Sequence, residues 1–130
     1  MNKKNLIREY KETPRPIGVF QIRNTTNEKV FVGSSMNLDG IFNRHRFTLN
    51  AGSHASKDLQ KDWNELGAES FAFEILEKIE PREGLDLKRE LEFFEDLWLE
   101  NLKPYEEKGY NERKKTREER LRMIAANRKL

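Results

Sequence analysis

The fold class predicted for this chain is α+β, a small three-stranded antiparallel sheet flanked by helices, and three observations predict it. Two runs of strand-forming residues flank a turn-rich centre before residue 33. A third run, at 70–76, alternates in the two-residue period of a strand. Between and after them, apolar residues recur at helical spacing.

Residues 17–33 read as a β-hairpin. Ile17, Val19, Phe20 and Ile22 lead into Asn24-Thr25-Thr26-Asn27, and Val30, Phe31 and Val32 lead out. These are strand formers around turn formers. A turn centred between Thr25 and Thr26 would set Phe20 opposite Phe31. Pro14 and Pro16 delay regular structure before the first strand. After Gly33-Ser34-Ser35, Asn37 can cap a helix reaching about Asn50, with Leu38, Phe42, His45 and Leu49 on one stripe, Ile41 at its edge, and Gly52 as terminator. Ser56 can cap a second helix with Leu59, Trp63 and Leu66 inward, stopped by Gly67. In the third strand Phe71, Phe73 and Ile75 share a well-buried face. A long helix is expected over 83–102, carrying Leu87, Leu91, Phe94, Trp98 and Leu102. Pro104 and Gly109-Tyr110-Asn111 then break the chain.

The organisation expected is a basic N-terminal segment (1–16), one folded domain (17–111) and a basic tail (112–130). The 130 residues suit one domain with a real core. With no cysteine, disulfides and thiolate metal sites are excluded, which suits a reducing, cytoplasmic setting. No apolar run is long enough to cross a bilayer, and Met1-Asn2-Lys3-Lys4-Asn5 leads into charge instead of a signal-peptide core. Net charge is only +2, but its distribution is uneven. Lys3, Lys4, Arg8, Lys11 and Arg15 make the start basic. Arg113, Lys114, Lys115, Arg117, Arg120, Arg122, Arg128 and Lys129 do the same for the tail, while acids crowd 74–107. Basic ends of this kind are either solvated tails or local polyanion sites.

Several landmarks then coincide in order. They are Gly18-Val19-Phe20, Phe31-Val32-Gly33, Gly33-Ser34-Ser35 before Asn37-Leu38, Gly52-Ser53-His54 before Leu59-Gln60-Lys61-Asp62-Trp63-Asn64, Phe71 to Leu76, Glu95 ahead of Trp98-Leu99, and Gly109-Tyr110-Asn111. Over roughly 17–111 the chain resembles the GIY-YIG nuclease family, especially catalytic domains of phage intron-homing endonucleases. The resemblance implies hydrolysis of a DNA phosphodiester, assisted by one divalent ion, Mg²⁺ or Mn²⁺, held by a glutamate. Carried over by position, the metal-holding glutamate is Glu95, the site asparagine is Asn111 and the first-helix histidine is His45. The two tyrosine positions hold Phe20 and Phe31, and the arginine position holds Ile41.

Those three departures remove chemistry. Phenylalanine offers no donor, acceptor or titratable proton in place of a phenol. Isoleucine cannot replace a guanidinium fork on phosphate, an interaction worth about 10³–10⁵ in rate in phosphoryl transfer. The expectation is a degenerate, weak or inactive site. The other DNA contacts implied are Arg44, Arg46, His54, Lys57, Arg113, Lys114 and Lys115, although Arg44 and Arg46 point away from the Ile41–His45 edge. Each residue also has a plain structural reading. Phe20 and Phe31 make a cross-strand aromatic pair, Ile41 is core edge, and His45 is a half-buried histidine on an apolar stripe. Glu95, beside Glu92, Asp96 and Glu100, is a solvated acidic face; Asn111 is a turn residue; His54 decorates a loop. The rival functions are a DNA-binding pseudo-nuclease and a protein-interaction module using a Phe20–Phe31–Ile41 patch.

Overall fold

The computed structural model describes residues 15–113 together with 121, 122 and 124–126, the latter helical. Most of the 1–16 segment and much of the 112–130 tail, including Lys114 and Lys115, lie outside the described residues. The elements run β1 (Gly18–Asn24), β2 (Val30–Ser35), α1 (Leu38–Ala51), α2 (Lys57–Leu66), β3 (Phe71–Lys78) and α3 (Leu87–Leu102). The strands form one sheet in the order β2-β1-β3, and both pairings are antiparallel. The expected sheet and its helices are therefore present. None of the helices among the described residues is long and apolar enough to cross a membrane.

β1 is central and is buried on both faces. Phe20 and Ile22 point to one side, into a core with Leu38 and Leu49 of α1, Leu59 and Trp63 of α2, and Phe71. Val19 points to the other, where Val30, Val32 and Leu76 meet Phe94, Trp98, Leu99 and Leu102 of α3. The sheet thus lies between α1 and α2 on one face and α3 on the other. Alternation along each strand directs this, and apolar burial stabilises it by about 25 cal/mol per Å².

The helix caps follow the sequence. The Asn37 side chain accepts from the Gly40 N–H, and that of Ser56 accepts from Leu59, opening α1 and α2. Gly52 closes α1 in the left-handed region at φ 77°, a conformation glycine adopts without penalty.

Four local expectations are corrected. Phe20 pairs with Gly33 and Phe31 with Ile22, so the two phenylalanines are not opposite each other. Asn24 explains the change: its Oδ1 accepts from the Thr26 N–H (3.0 Å) and hydroxyl (2.7 Å). The resulting loop closes with the Asn24 N–H on the Lys29 carbonyl and Glu28 at φ 65°. Its centre falls one residue later than expected, which moves the pairing by two and keeps every face. The third helix begins at Leu87, not 83, because the Asp86 side chain caps it by accepting from the Arg89 N–H, and Gly84 before it is left-handed. Leu66 is 41% exposed, since the chain leaves α2 at Gly67 and Trp63 already packs on Phe71 at 5.2 Å between ring centroids. Ile75 is 48% exposed on the edge strand β3, where Phe42 and the Arg46 guanidinium cover only as far as Phe73.

A buried polar chain ties the far ends of the domain together. The Tyr110 hydroxyl donates to Asp62 of α2 (2.6 Å) and accepts from the Asn24 side chain of β1 (3.0 Å). Asn24 is fully buried and Tyr110 is 5% exposed. Burial, then the bond to Asp62, holds the phenol above its ordinary pKa. A low-dielectric site makes such a chain costly to break. Tyr110→Phe should therefore lose about 1–3 kcal/mol in urea unfolding, because the buried Asn24 Nδ2 loses its acceptor and Asp62 its donor. Trp98 offers the contrast: its buried Nε1 has no partner, so Trp98→Phe should be near neutral or slightly stabilising in the same assay.

Candidate active site

On the α1 and α2 face, β1, β2 and α1 bring together three of the six positions singled out by sequence. The His45 ring lies 5.5 Å, between centroids, from both Phe20 and Phe31. His54, from the loop between α1 and α2, packs 5.6 Å from Phe31 and 5.0 Å from His45. Its Nε2 is 2.8 Å from His45 Nδ1. His54 is held from both sides: its backbone N–H donates to Gln60 Oε1 (3.0 Å), and its ring Nδ1 accepts from the Ser56 N–H (2.9 Å). Burial, then the neighbouring His54 and Arg44, pulls His45 down to about 4; burial also lowers His54. Both rings are therefore neutral near pH 7.

The substituted positions are not vacancies. Phe20 is 1% exposed and lies under Gly33, where a Cβ would stand 2.7 Å from its Cζ. Only glycine leaves room for that ring. Ile41 packs against the same core. Phe31 lines an open groove, about 580 Å³ in volume, with Ser56, Lys57, Asp58, Tyr110 and Asn111 among its walls. Of the apolar patch suggested by the sequence, Phe20 is core, while Phe31 and Ile41 are partly buried against it.

Asn111 lines that groove, yet its amide is engaged by β2. It accepts from the Val32 N–H and donates to the Val32 carbonyl, both at 2.8 Å. With the Tyr110 N–H on the Val30 carbonyl (2.9 Å), the 109–111 segment covers part of the open edge of β2.

Glu95 lies elsewhere. It accepts from the Ser34 hydroxyl and lines a separate depression with Lys88, Leu91, Glu92 and Asp96, on the α3 face of the sheet. Ser34 and Phe31 are three residues apart on β2, so their side chains project to opposite faces. Glu95 and the histidine pair therefore flank the same edge strand from its two sides. Among the described residues no three His, Cys, Asp or Glu side chains converge as a metal cluster. Glu95 and its carboxylate neighbours are hard oxygen donors, which fit Mg²⁺ or Mn²⁺ only if phosphate and water complete the shell.

The cationic candidates divide similarly. Arg46 stacks over Phe73 at 4.2 Å, toward β3 and away from the groove, as the helix geometry anticipated. Arg113 forms a fork on Glu106 (3.1 and 3.2 Å) and lies 4.5 Å over the Tyr105 ring. Arg44 and Lys57 are exposed. Sequence reasoning missed Ser34, Ser56 and Gln60 as supports of the site. For Gln60 a signal existed, since it is a polar residue beside Leu59 and Trp63 on the inward side of α2.

With fold and site in view, comparison with known proteins is direct. The model of the GIY-YIG catalytic domain matches residues 16–111. The chain belongs to the GIY-YIG family. It is 36% identical over 94 residues to intron-associated endonuclease 1 of Enterobacteria phage T4, a match covering 72% of this chain and 36% of that relative. The chain thus spans about a third of that relative's length. The catalytic domain of homing endonuclease I-TevI superposes with a TM-score of 0.60 at 35% identity, covering 75% of this chain and 99% of that one. A mutant form of the same catalytic domain gives 0.64 at 33%, covering 78% and 97%.

The histidine pair makes stability pH-dependent. Unfolded His45 titrates near its ordinary pKa of about 6.5, and folded His45 near 4. Between these values the unfolded chain binds more protons, so stability rises with pH. The contribution should be complete above about pH 6.5 and lost as the pH falls to 4. Urea midpoints measured across this window should fall on acidification, and His45→Gln should flatten the slope.

Proposed function

We propose that this chain is a DNA-acting domain of the GIY-YIG endonuclease type whose hydrolytic site is degenerate, so that it holds DNA and cleaves it weakly or not at all. The observation that carries this is the burial of Phe20 in the core, with Gly33 closed over its ring, and the packing of Ile41 against the edge of that core. Where the family has a phenol and a guanidinium, this domain has packed hydrocarbon. Phosphodiester hydrolysis needs a deprotonated water, charge stabilisation on the phosphate and a protonated leaving oxygen, and these two positions supply none of them.

The polar groups that remain flank β2. His45 and His54 stand on one side, Ser34 and Glu95 on the other, and a DNA backbone laid along the strand edge would meet both. Glu95 would hold the divalent ion, Mg²⁺ or Mn²⁺, which when bound supplies positive charge to phosphate oxygens. One carboxylate makes such a site weak. Asn111 acts here by fixing the edge of β2. Arg44, Lys57, Lys114 and Lys115 are the basic groups that would meet phosphates, together with the tail. A cytoplasmic setting suits a cysteine-free DNA-acting chain.

The chemistry is tested by a plasmid-nicking assay in Mg²⁺. Wild type should nick barely above background. Phe20→Tyr, Phe31→Tyr and Ile41→Arg together should raise the rate, and a further Glu95→Ala should remove the gain. Circular dichroism must show each variant folded, because the new phenol at residue 20 and the guanidinium at 41 enter packed surroundings. Strong cleavage by wild type would refute the degenerate site. Binding is tested by salt titration of a short duplex. Removing residues 112–130 should weaken binding and make log K fall less steeply with log salt, by about one in slope for each phosphate that the tail neutralises. An unchanged slope would exclude the tail as the binding element.

A further inference from the structure

We propose that the backbone N–H of Ser56 fixes the tautomers of both histidines, so that His45 meets a phosphodiester as a neutral hydrogen-bond donor through Nε2 and not as a general base. The part concerning substrate rests on the proposed placement of DNA along β2; the part concerning protons does not.

The argument starts from an amide that can only donate. The Ser56 N–H lies 2.9 Å from His54 Nδ1, so that nitrogen presents its lone pair. A neutral imidazole carries one N–H, and in His54 it must be at Nε2. This Nε2 is 2.8 Å from His45 Nδ1, which therefore accepts. The single proton of neutral His45 is left on its own Nε2. One main-chain group thus sets the protonation pattern of two side chains in series.

A further proton has no place while the chain of bonds holds. At His54 Nδ1 it would face the Ser56 N–H, and at His45 Nδ1 it would face the N–H of His54. A transition metal meets the same obstacle. Binding at His54 Nε2 would drive that ring's proton to Nδ1, against Ser56.

The arrangement is braced. Gln60 is buried; its Oε1 accepts from the His54 backbone N–H, while its side-chain amide donates to the Leu49 carbonyl (2.8 Å) and Asn64 Oδ1 (2.9 Å). Phe31 packs edge-on against both histidine rings. Ser56 and Gln60 are positioning residues in this scheme. A neutral donor on a non-bridging oxygen stabilises developing charge, while activation of water falls to another group.

Long-range ¹H–¹⁵N correlation spectra of the ¹⁵N-labelled full chain at pH 7 test the assignment without any substrate. Both histidines should show protonated Nε2 and unprotonated Nδ1. Ser56→Ala keeps the amide and should leave this pattern in place, although it loses the α2 cap. Ser56→Pro removes the amide and should release His54 into mixed tautomers. An Nδ1-bound proton on either ring of the folded wild type would overturn the proposal, as would a wild-type pattern in folded Ser56→Pro. If Ser56→Pro does not fold, the wild-type and Ser56→Ala spectra decide. Adding a short DNA duplex should then shift His45 Nε2 and leave both Nδ1 atoms unprotonated; protonation at His45 Nδ1 would refute the donor role. Failure to bind DNA would sink the functional reading and leave the tautomer assignment standing.

Discussion

β1 is hydrogen-bonded along both edges and buried on both faces, and the rest of the domain is arranged to satisfy it. A strand of seven residues cannot do this alone. Its edges need β2 and β3, and its faces need α1 and α2 on one side and α3 on the other. Three strands offer little surface, so each face is closed by a few large side chains: Phe20 and Ile22 toward α1 and α2, Val19 toward α3. Beside Val19 and Phe20 the β1–β3 register shifts by one residue, with Leu76 as the extra residue on β3, a local bulge that bends the bulged strand.

With β1 enclosed in this way, β2 and β3 are the two edges of the sheet, and β2 is partly covered by 109–111. The polar side chains singled out by sequence lie around β2, but on both of its faces. The histidine pair stacks on Phe31 and Glu95 meets Ser34, on opposite sides of one strand. Phe20 is buried in the core on the histidine side, and Ile41 packs against the edge of that core.

The polar side chains show how context decides role. Asn24, Asn111 and Tyr110 all stand in stretches that read as turns. Asn24 shapes its loop and also reaches Tyr110, Asn111 imitates a strand partner, and Tyr110 links β1 to α2. The links to Tyr110 and from Asn111 span many residues of chain, and local propensity carries no information about such partners. The caps are different. Asn37 and Ser56 bind amides three residues away, a distance at which sequence spacing and spatial proximity coincide.

The sequence by itself determined the α+β class, the order of the elements, the two helix caps of α1 and α2, and the apolar face of each strand. All of these depend on composition or on spacing of a few residues, where covalent geometry fixes the outcome. Tertiary structure decided the hairpin register, the exposure of Leu66 and Ile75, the separation of Glu95 from the histidines and the bracing of His54 by Ser56 and Gln60. The register turned on side-chain bonds within one loop, and the rest on which surfaces met after the chain had closed. The physical reason is that a residue's neighbours along the chain set its conformation, while its neighbours in space set its chemistry.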